Sequence, residues 1–219
     1  MPTRLVIILL LGLATSGQAR ASPETAPDIP SSPTLSPDRV AKSDTLGCVL
    51  TVEPVSQVFR VPEITVVLTN QTGADIYLVG SLDASDCRWR YPHCYFEVIG
   101  PDGKPASGAI DRCGNVNDLR EGDFVRVPPG GKFDPYHKGT GYPFFITEQI
   151  KPYTFRVPGK YRIRFFYSTA SEVFGDWAGD WGRGATASPR LIELLSLVPK
   201  VEVASNEVVV EVVGREERR

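Results

Sequence analysis

From Cys48 onward, apolar and polar residues alternate one by one in several short runs that end at Gly, Pro or Asn. Successive side chains of a strand point to opposite faces, so this alternation predicts strands with one buried face. Leu50 and Val52 alternate with Val49 and Thr51 in a run that begins at Cys48. Ile64, Val66 and Leu68 alternate with Thr65, Val67 and Thr69, and Asn70-Gln71-Thr72-Gly73 turns the chain. A third strand is predicted over Asp75 to Val79, with Ile76 and Leu78 inward. Phe96 and Val98 alternate with Tyr95 and Glu97 ahead of Gly100-Pro101-Asp102-Gly103. Further strands are predicted from Phe124 to Val127, closed by Pro128-Pro129-Gly130-Gly131, and from Tyr161 to Ser168. The last runs from Glu207 to Val213, with Val208, Val210 and Val212 inward and Glu207 and Glu211 outward. Short strands punctuated in this way predict an all-β, antiparallel sandwich of about seven strands with long loops. A barrel is the alternative that the same alternation would serve. Arg190 to Val198 is the one helix candidate, with Leu191, Leu194, Leu195 and Val198 at helical spacing between Pro189 and Pro199.

The stretch Val157-Pro158-Gly159-Lys160-Tyr161 sharpens the prediction. Pro-Gly makes a turn, and from Tyr161 onward Tyr161, Ile163, Phe165 and Tyr167 share one face. The pattern resembles the tyrosine corner of immunoglobulin-like sandwiches, in which a Tyr hydroxyl bonds back to upstream backbone. That resemblance implies an immunoglobulin-like domain over 47–214. Arg90-Tyr91-Pro92, Arg112-Cys113-Gly114-Asn115 and Ser205-Asn206-Glu207-Val208 look like pieces of uncharacterised exported bacterial proteins. None of these pieces implies an active site. The chain departs from antibody-type domains in lacking their Cys-Trp-Cys spacing, so no central disulfide pin is expected.

The ends of the chain read differently. Residues 1–21 have the pattern of a secretory signal peptide: Arg4, the apolar run Leu5 to Leu13, then Ala19-Arg20-Ala21. The run falls well short of the ~20 apolar residues that span a bilayer, so no membrane span is expected after cleavage. Residues 22–46 form a Pro/Ser-rich linker with Pro23, Pro27, Pro30, Pro33 and Pro37 and little apolar surface to bury. Residues 215–219 are a charged tail. The formal charge of −2 becomes more negative by two when Arg4 and Arg20 leave with the signal. Such a chain offers no phosphate-tracking surface, so nucleic acid is excluded as an expected partner. Export to the periplasm or beyond is the expected destination.

Cys48, Cys87, Cys94 and Cys113 lie in the exported part, and an even number in an oxidising compartment predicts two disulfides. Pro92 within the short Cys87-to-Cys94 loop favours Cys87–Cys94, which leaves Cys48–Cys113. A zinc site needs closer ligand pairs than these, and the scattered Asp83, Asp86, Asp176 and Asp180 lack the spacing of a calcium loop. No metal and no cofactor is expected.

Chemistry-bearing motifs are scarce. His93 and His137 are the two histidines, and neither a Gly-x-Ser-x-Gly elbow nor a His-Glu-x-x-His helix occurs. The chain therefore reads as a non-enzyme. Its one unusual motif is the tandem Gly175-Asp176-Trp177-Ala178, Gly179-Asp180-Trp181-Gly182. Exposed, Trp177 and Trp181 beside Asp176 and Asp180 would stack on a sugar ring or on a protein partner's side chain. Folded back, they would cap the open end of the sandwich. The aromatic stretch from Phe133 to Phe155, with Tyr153 near its end, is expected to pack and close one side. Three function classes follow: an exported binding or adhesion module, a structural or accessory domain of the cell envelope, and an inhibitor-like module presenting a loop to a hydrolase. Exposure of the two indoles favours the first, and burial favours the second.

Overall fold

A computed structural model describes residues 43–106, 117–136, 150–179 and 187–214. Its strands, in chain order, are β1 (Leu46–Val52), β2 (Val55–Gln57), β3 (Ile64–Asn70), β4 (Ile76–Val79), β5 (His93–Ile99), β6 (Phe124–Val127), β7 (Lys132–Phe133), β8 (Gly159–Ser168), β9 (Glu202–Ala204) and β10 (Val208–Val213). Two short helices, α1 (Gly175–Ala178) and α2 (Pro189–Ser196), lie between β8 and β9. The strands form a three-stranded sheet in the order β1-β3-β7, a larger sheet β2-β10-β8-β5 with β9 also on β8, and the pair β4-β6. Among the described residues every strand pairing is antiparallel except β2 with β10. No helix among the described residues is long and apolar enough to cross a membrane.

The fold is thus sheet-rich, as the alternation predicts, and the seven expected strands appear within a residue or two of their expected ends, save that the Phe96 strand opens earlier, at His93. The strands that alternation did not reveal, β2, β7 and β9, have two or three residues each, too few for a period of two to repeat. The expected helix appears one residue early. Pro189 suits a first helical turn, and Ser188 caps it by accepting from Leu191 N at 3.2 Å. Helix α1 falls on the first half of the tandem repeat, which hydrophobic patterning leaves as loop.

One apolar core holds Leu46, Leu50, Val66, Leu68, Val98, Tyr161, Ile163, Phe165, Tyr167, Val210 and Val212 among others. The inward faces expected on β4, β5, β8 and β10 are those observed. Each fully buried side chain of this size contributes about 1.5–3 kcal/mol, which is why alternation decides the register. A second cluster lies where α1, α2, β4 and β6 meet, around Val79, Phe124, Trp177, Leu194 and Leu195.

Polar side chains join the layers where strands end. Asn206, between β9 and β10, donates from Nδ2 to Leu50 O at 3.0 Å and accepts at Oδ1 from Leu50 N at 2.9 Å. It thereby completes the pairing of one β1 residue and ties that strand to the other sheet. Ser205 accepts from Phe165 N at 2.9 Å in the same bend. The Ser-Asn piece noted in the sequence is a structural joint.

The bond expected of Tyr161 is present. Its hydroxyl donates to Val157 O at 2.8 Å and accepts from Val157 N at 3.3 Å, with the ring 1 % exposed. Gly159 ahead of it has φ 138°, and a Cβ there would stand 2.8 Å from the Pro101 ring. Tyr161→Phe keeps the ring and leaves both Val157 groups short of a partner, so it is expected to lower stability by about 1–2 kcal/mol in urea denaturation. The neighbouring exposed Lys160→Ala is expected to change it by less than about 0.5 kcal/mol, and equal midpoints for the two variants would contradict this role for the hydroxyl.

The cysteines correct an expectation. No disulfide is formed among the described residues, and Cys48 and Cys94 are thiols. The Cys87–Cys94 bridge is therefore not present, and Cys113 lies outside the described residues. Cys94 takes an inward position of β5 opposite Tyr167 and is completely buried, so its sulfur enters the core. Pro92 bends the chain between the two cysteines, but strand alternation decides where the Cys94 side chain points. Burial pushes the Cys48 thiol up to about 12 and raises Cys94 well above the ordinary thiol value, which keeps both protonated.

Candidate functional site

The tandem repeat and the loops beside it build a closed cluster. Trp177, on α1, is 0 % exposed, and its Nε1 donates to Ser171 O at 3.0 Å. Tyr91 packs on the indole at 5.6 Å between centroids, and the Lys200 ammonium lies over it at 5.2 Å. Asp176 is exposed; its carboxylate accepts from the Ser171 hydroxyl at 2.5 Å and its carbonyl from Tyr91 N at 2.8 Å. Asp180 and Trp181 lie outside the described residues, so the second half of the repeat has no placement here. The indole face of Trp177 is closed to any ligand in this arrangement.

Arg90 fastens the cluster. It is 3 % exposed, donates from Nη2 to Trp177 O at 2.6 Å, and donates from Nη1 to Asn117 O. A guanidinium suits the carbonyl end of a helix, whose unpaired acceptors carry partial negative charge. Burial lowers the Arg90 pKa to about 10, while Asp123, Asp83 and Asp118 pull the other way, so it stays charged at neutral pH. Asp123 is buried too, and burial raises its pKa against the bond from Arg120 N at 2.8 Å and the nearby arginines. Gly179 ends α1 at φ 77°, and a Cβ there would overlap Arg90 and Asn117 O. Sequence reasoning singled out the Trp beside this arginine and missed the arginine itself, because a lone Arg among turns carries no pattern.

His93 stacks on Tyr91 at 3.9 Å. Burial first, and Arg88 second, push its pKa down to about 4, with Asp176 opposing. An unfolded histidine titrates near 6.5, so the unfolded chain binds more protons between the two values. Stability is therefore expected to fall as pH drops below about 6.5, with the loss complete near pH 4. Solvent screening of this partly exposed ring holds the loss to about 2 kcal/mol. Urea midpoints at pH 7 and pH 4.5 check it: His93→Phe should flatten the dependence, and an unchanged slope in that variant would assign the effect elsewhere.

The other candidate surface lies where β2 ends. The turn after β2 places Phe59 at φ 60°, a left-handed conformation that costs a bulky residue about 1–2 kcal/mol. Its N–H donates to Phe155 O at 3.0 Å, yet its ring is 57 % exposed. Tyr153 stands beside it at 6.4 Å between centroids and is 62 % exposed. The Arg156 guanidinium covers the Tyr153 ring at 4.7 Å and donates to its hydroxyl. Val55 and Val157 are also about half exposed, at 48 % and 49 %. Beside Val157 opens a cavity of about 420 Å³ lined by Pro101, Asp102, Pro105, Arg156 and the Tyr161 corner.

The aromatic stretch from Phe133 to Phe155 thus divides. Phe133, Tyr136 and Phe155 are buried as expected, Tyr153 is exposed, and Tyr142, Phe144 and Phe145 lie outside the described residues. Phe59 was missed because its exposure follows from a turn conformation that sequence pattern does not show. Among the described residues no three His, Cys, Asp or Glu side chains group closely enough to hold a metal ion. The chain matches no family model, no curated protein and no solved structure.

Proposed function

We propose that this chain is an exported, non-enzymatic binding module of immunoglobulin-like architecture, which engages its partner through the end that carries Phe59 and Tyr153. Export rests on the N-terminal apolar run closed by Ala19-Arg20-Ala21. The architecture is supported by the Tyr161 corner and by a first chain segment that pairs with β3 as β1, crosses over, and runs parallel to β10 as β2. The observation that carries the binding surface is Phe59. A bulky aromatic in a costly backbone conformation, with its ring held in solvent beside a second exposed aromatic, is poor for stability and well suited to contact. The adhesion role expected of the Trp repeat moves to this end, because Trp177 is buried.

Retention on cell-envelope fractions tests the reading. Wild-type protein is expected to bind and elute with rising concentrations of unlabelled protein. Phe59→Gly with Tyr153→Ala is expected to lose most of that retention while its urea midpoint stays level or rises, because glycine relieves the strain at that position. Equal retention of the double variant and wild type would overturn the assignment of the surface.

A structural or accessory role in the cell envelope is the second reading, favoured by one observation. The most distinctive motif of the chain serves its own packing, with Trp177 sealed under Tyr91 and Lys200.

A further inference from the structure

Among the described residues the larger sheet ends on β2, which has a strand partner on one side only. In its parallel pairing Pro54 O accepts from Glu211 N at 2.9 Å, and Val58 N donates to Val213 O at 3.0 Å. Even-numbered backbone groups thus face β10, and those of Val55 and Gln57 point the other way. Gln57 O is taken up by Arg60 N at 3.1 Å, which leaves Val55 N–H, Val55 C=O and Gln57 N–H along the open edge. An unpaired edge of this kind is a template for another extended chain.

The side chains around the edge narrow the choice of that chain. Phe59 and Tyr153 supply an exposed aromatic pair, and Val55 on β2 is half exposed as well. Lys151 and Arg156 flank Tyr153, both exposed, and among the described residues neither forms an ion pair. Arg60 sits next to Phe59, paired with Glu53 at 3.0 Å. Glu211, opposite Val55 on β10, stands opposite Lys160 on β8. Lys151 and Arg156 therefore leave a local basic excess, which on a chain of negative net charge favours an acidic occupant.

We infer that β2 is a strand-addition site for an extended acidic peptide segment of a partner protein, which pairs its backbone with Val55 and Gln57 and lays an apolar side chain on Phe59 and Tyr153. This deepens the binding reading above and rests on it. Backbone pairing supplies the affinity, the aromatic pair reads one apolar side chain, and Lys151 and Arg156 favour carboxylates nearby.

The test uses the purified protein and a fluorescein-labelled peptide of alternating valine and glutamate, followed by anisotropy. Two control peptides carry lysine in place of glutamate, or N-methyl groups on alternate residues so that one backbone edge cannot pair. The Glu–Val peptide is expected to bind saturably, and each control about tenfold or more weakly. Val55→Pro removes an N–H that faces away from β10 and is expected to weaken binding by a similar factor. Phe59→Gly relieves the left-handed strain, so its loss of binding cannot come from misfolding. Absence of saturable binding up to millimolar peptide, or equal affinity for the N-methylated peptide, overturns strand addition. Envelope retention separates the two levels. Retention that survives Val55→Pro but not Phe59→Gly overturns strand addition and leaves the aromatic surface standing, whereas no retention of wild type removes both.

Discussion

Arg90→Met is expected to lower stability by about 2–4 kcal/mol, because the buried Trp177 carbonyl and the partly buried Asn117 carbonyl would lose their donor together. The guanidinium donates to Trp177 O and to Asn117 O, and so ties the end of α1 to the chain that leads into β6. Replacing a buried ion with an apolar side chain is often harmless when its partners are also charged and are replaced with it. Here the partners are backbone groups that substitution cannot remove. Asp123, buried and with a raised pKa, would also lose a favourable charge. Arg90→Lys keeps the charge but presents a point rather than a fork, so it is expected to recover less than half of the loss. Urea denaturation followed by tryptophan emission measures both. Since this arginine holds the Trp177 carbonyl and so the end of α1, the Met variant should also red-shift native emission. A Met variant as stable as wild type would show that other contacts hold α1 in place.

What the sequence made legible follows from how many residues each signal spans. Strand β8 repeats its inward face four times, at Tyr161, Ile163, Phe165 and Tyr167, and all four are buried. Strand β2 shows its inward face once, at Ser56, and a single small polar residue announces nothing. The Tyr161 bond to Val157 was readable because the turn before it is short and chemically distinct. Arg90 was not, since its partners Asn117 and Trp177 are far along the chain and contribute only backbone oxygens. The cysteine pairing failed for a related reason. Loop length between Cys87 and Cys94 says how close two residues can come, whereas the strand phase of Cys94 sets which way its sulfur faces. For Trp177 the sequence fairly posed exposure against burial, and only a three-dimensional arrangement supplies the Tyr91 ring and the Lys200 ammonium that close it.

Asn70→Asp should be the other severe substitution, although it changes one nitrogen to oxygen. Asn70 ends β3 with 1 % of its surface exposed, and its amide is fully used. Nδ2 donates to Ala74 O at 2.8 Å and to Val127 O at 2.9 Å, while Oδ1 accepts from Thr72 N at 2.9 Å and the Thr72 hydroxyl at 2.7 Å. One side chain therefore shapes the β3–β4 turn and joins it to the end of β6. An aspartate keeps both acceptor contacts and turns both donor contacts into repulsions between a carboxylate oxygen and carbonyl oxygens. The expected loss at pH 7 is about 3–5 kcal/mol, the range for a buried charge without its partner. Its pH dependence identifies the cause. Burial and the facing carbonyls raise the folded pKa of the new carboxyl above its unfolded value near 3.9, so the folded state binds more protons in that interval. The gap between variant and wild type, measured at each pH, should therefore narrow as pH falls through the raised folded pKa and become smallest below the unfolded one. A protonated carboxyl restores one of the two donors, so part of the gap should remain. Asn70→Ala lacks the charge, and its deficit relative to wild type should stay level over the same pH range. If the Asp variant showed an equally level deficit, the loss would belong to missing hydrogen bonds alone and the repulsion argued here would be absent.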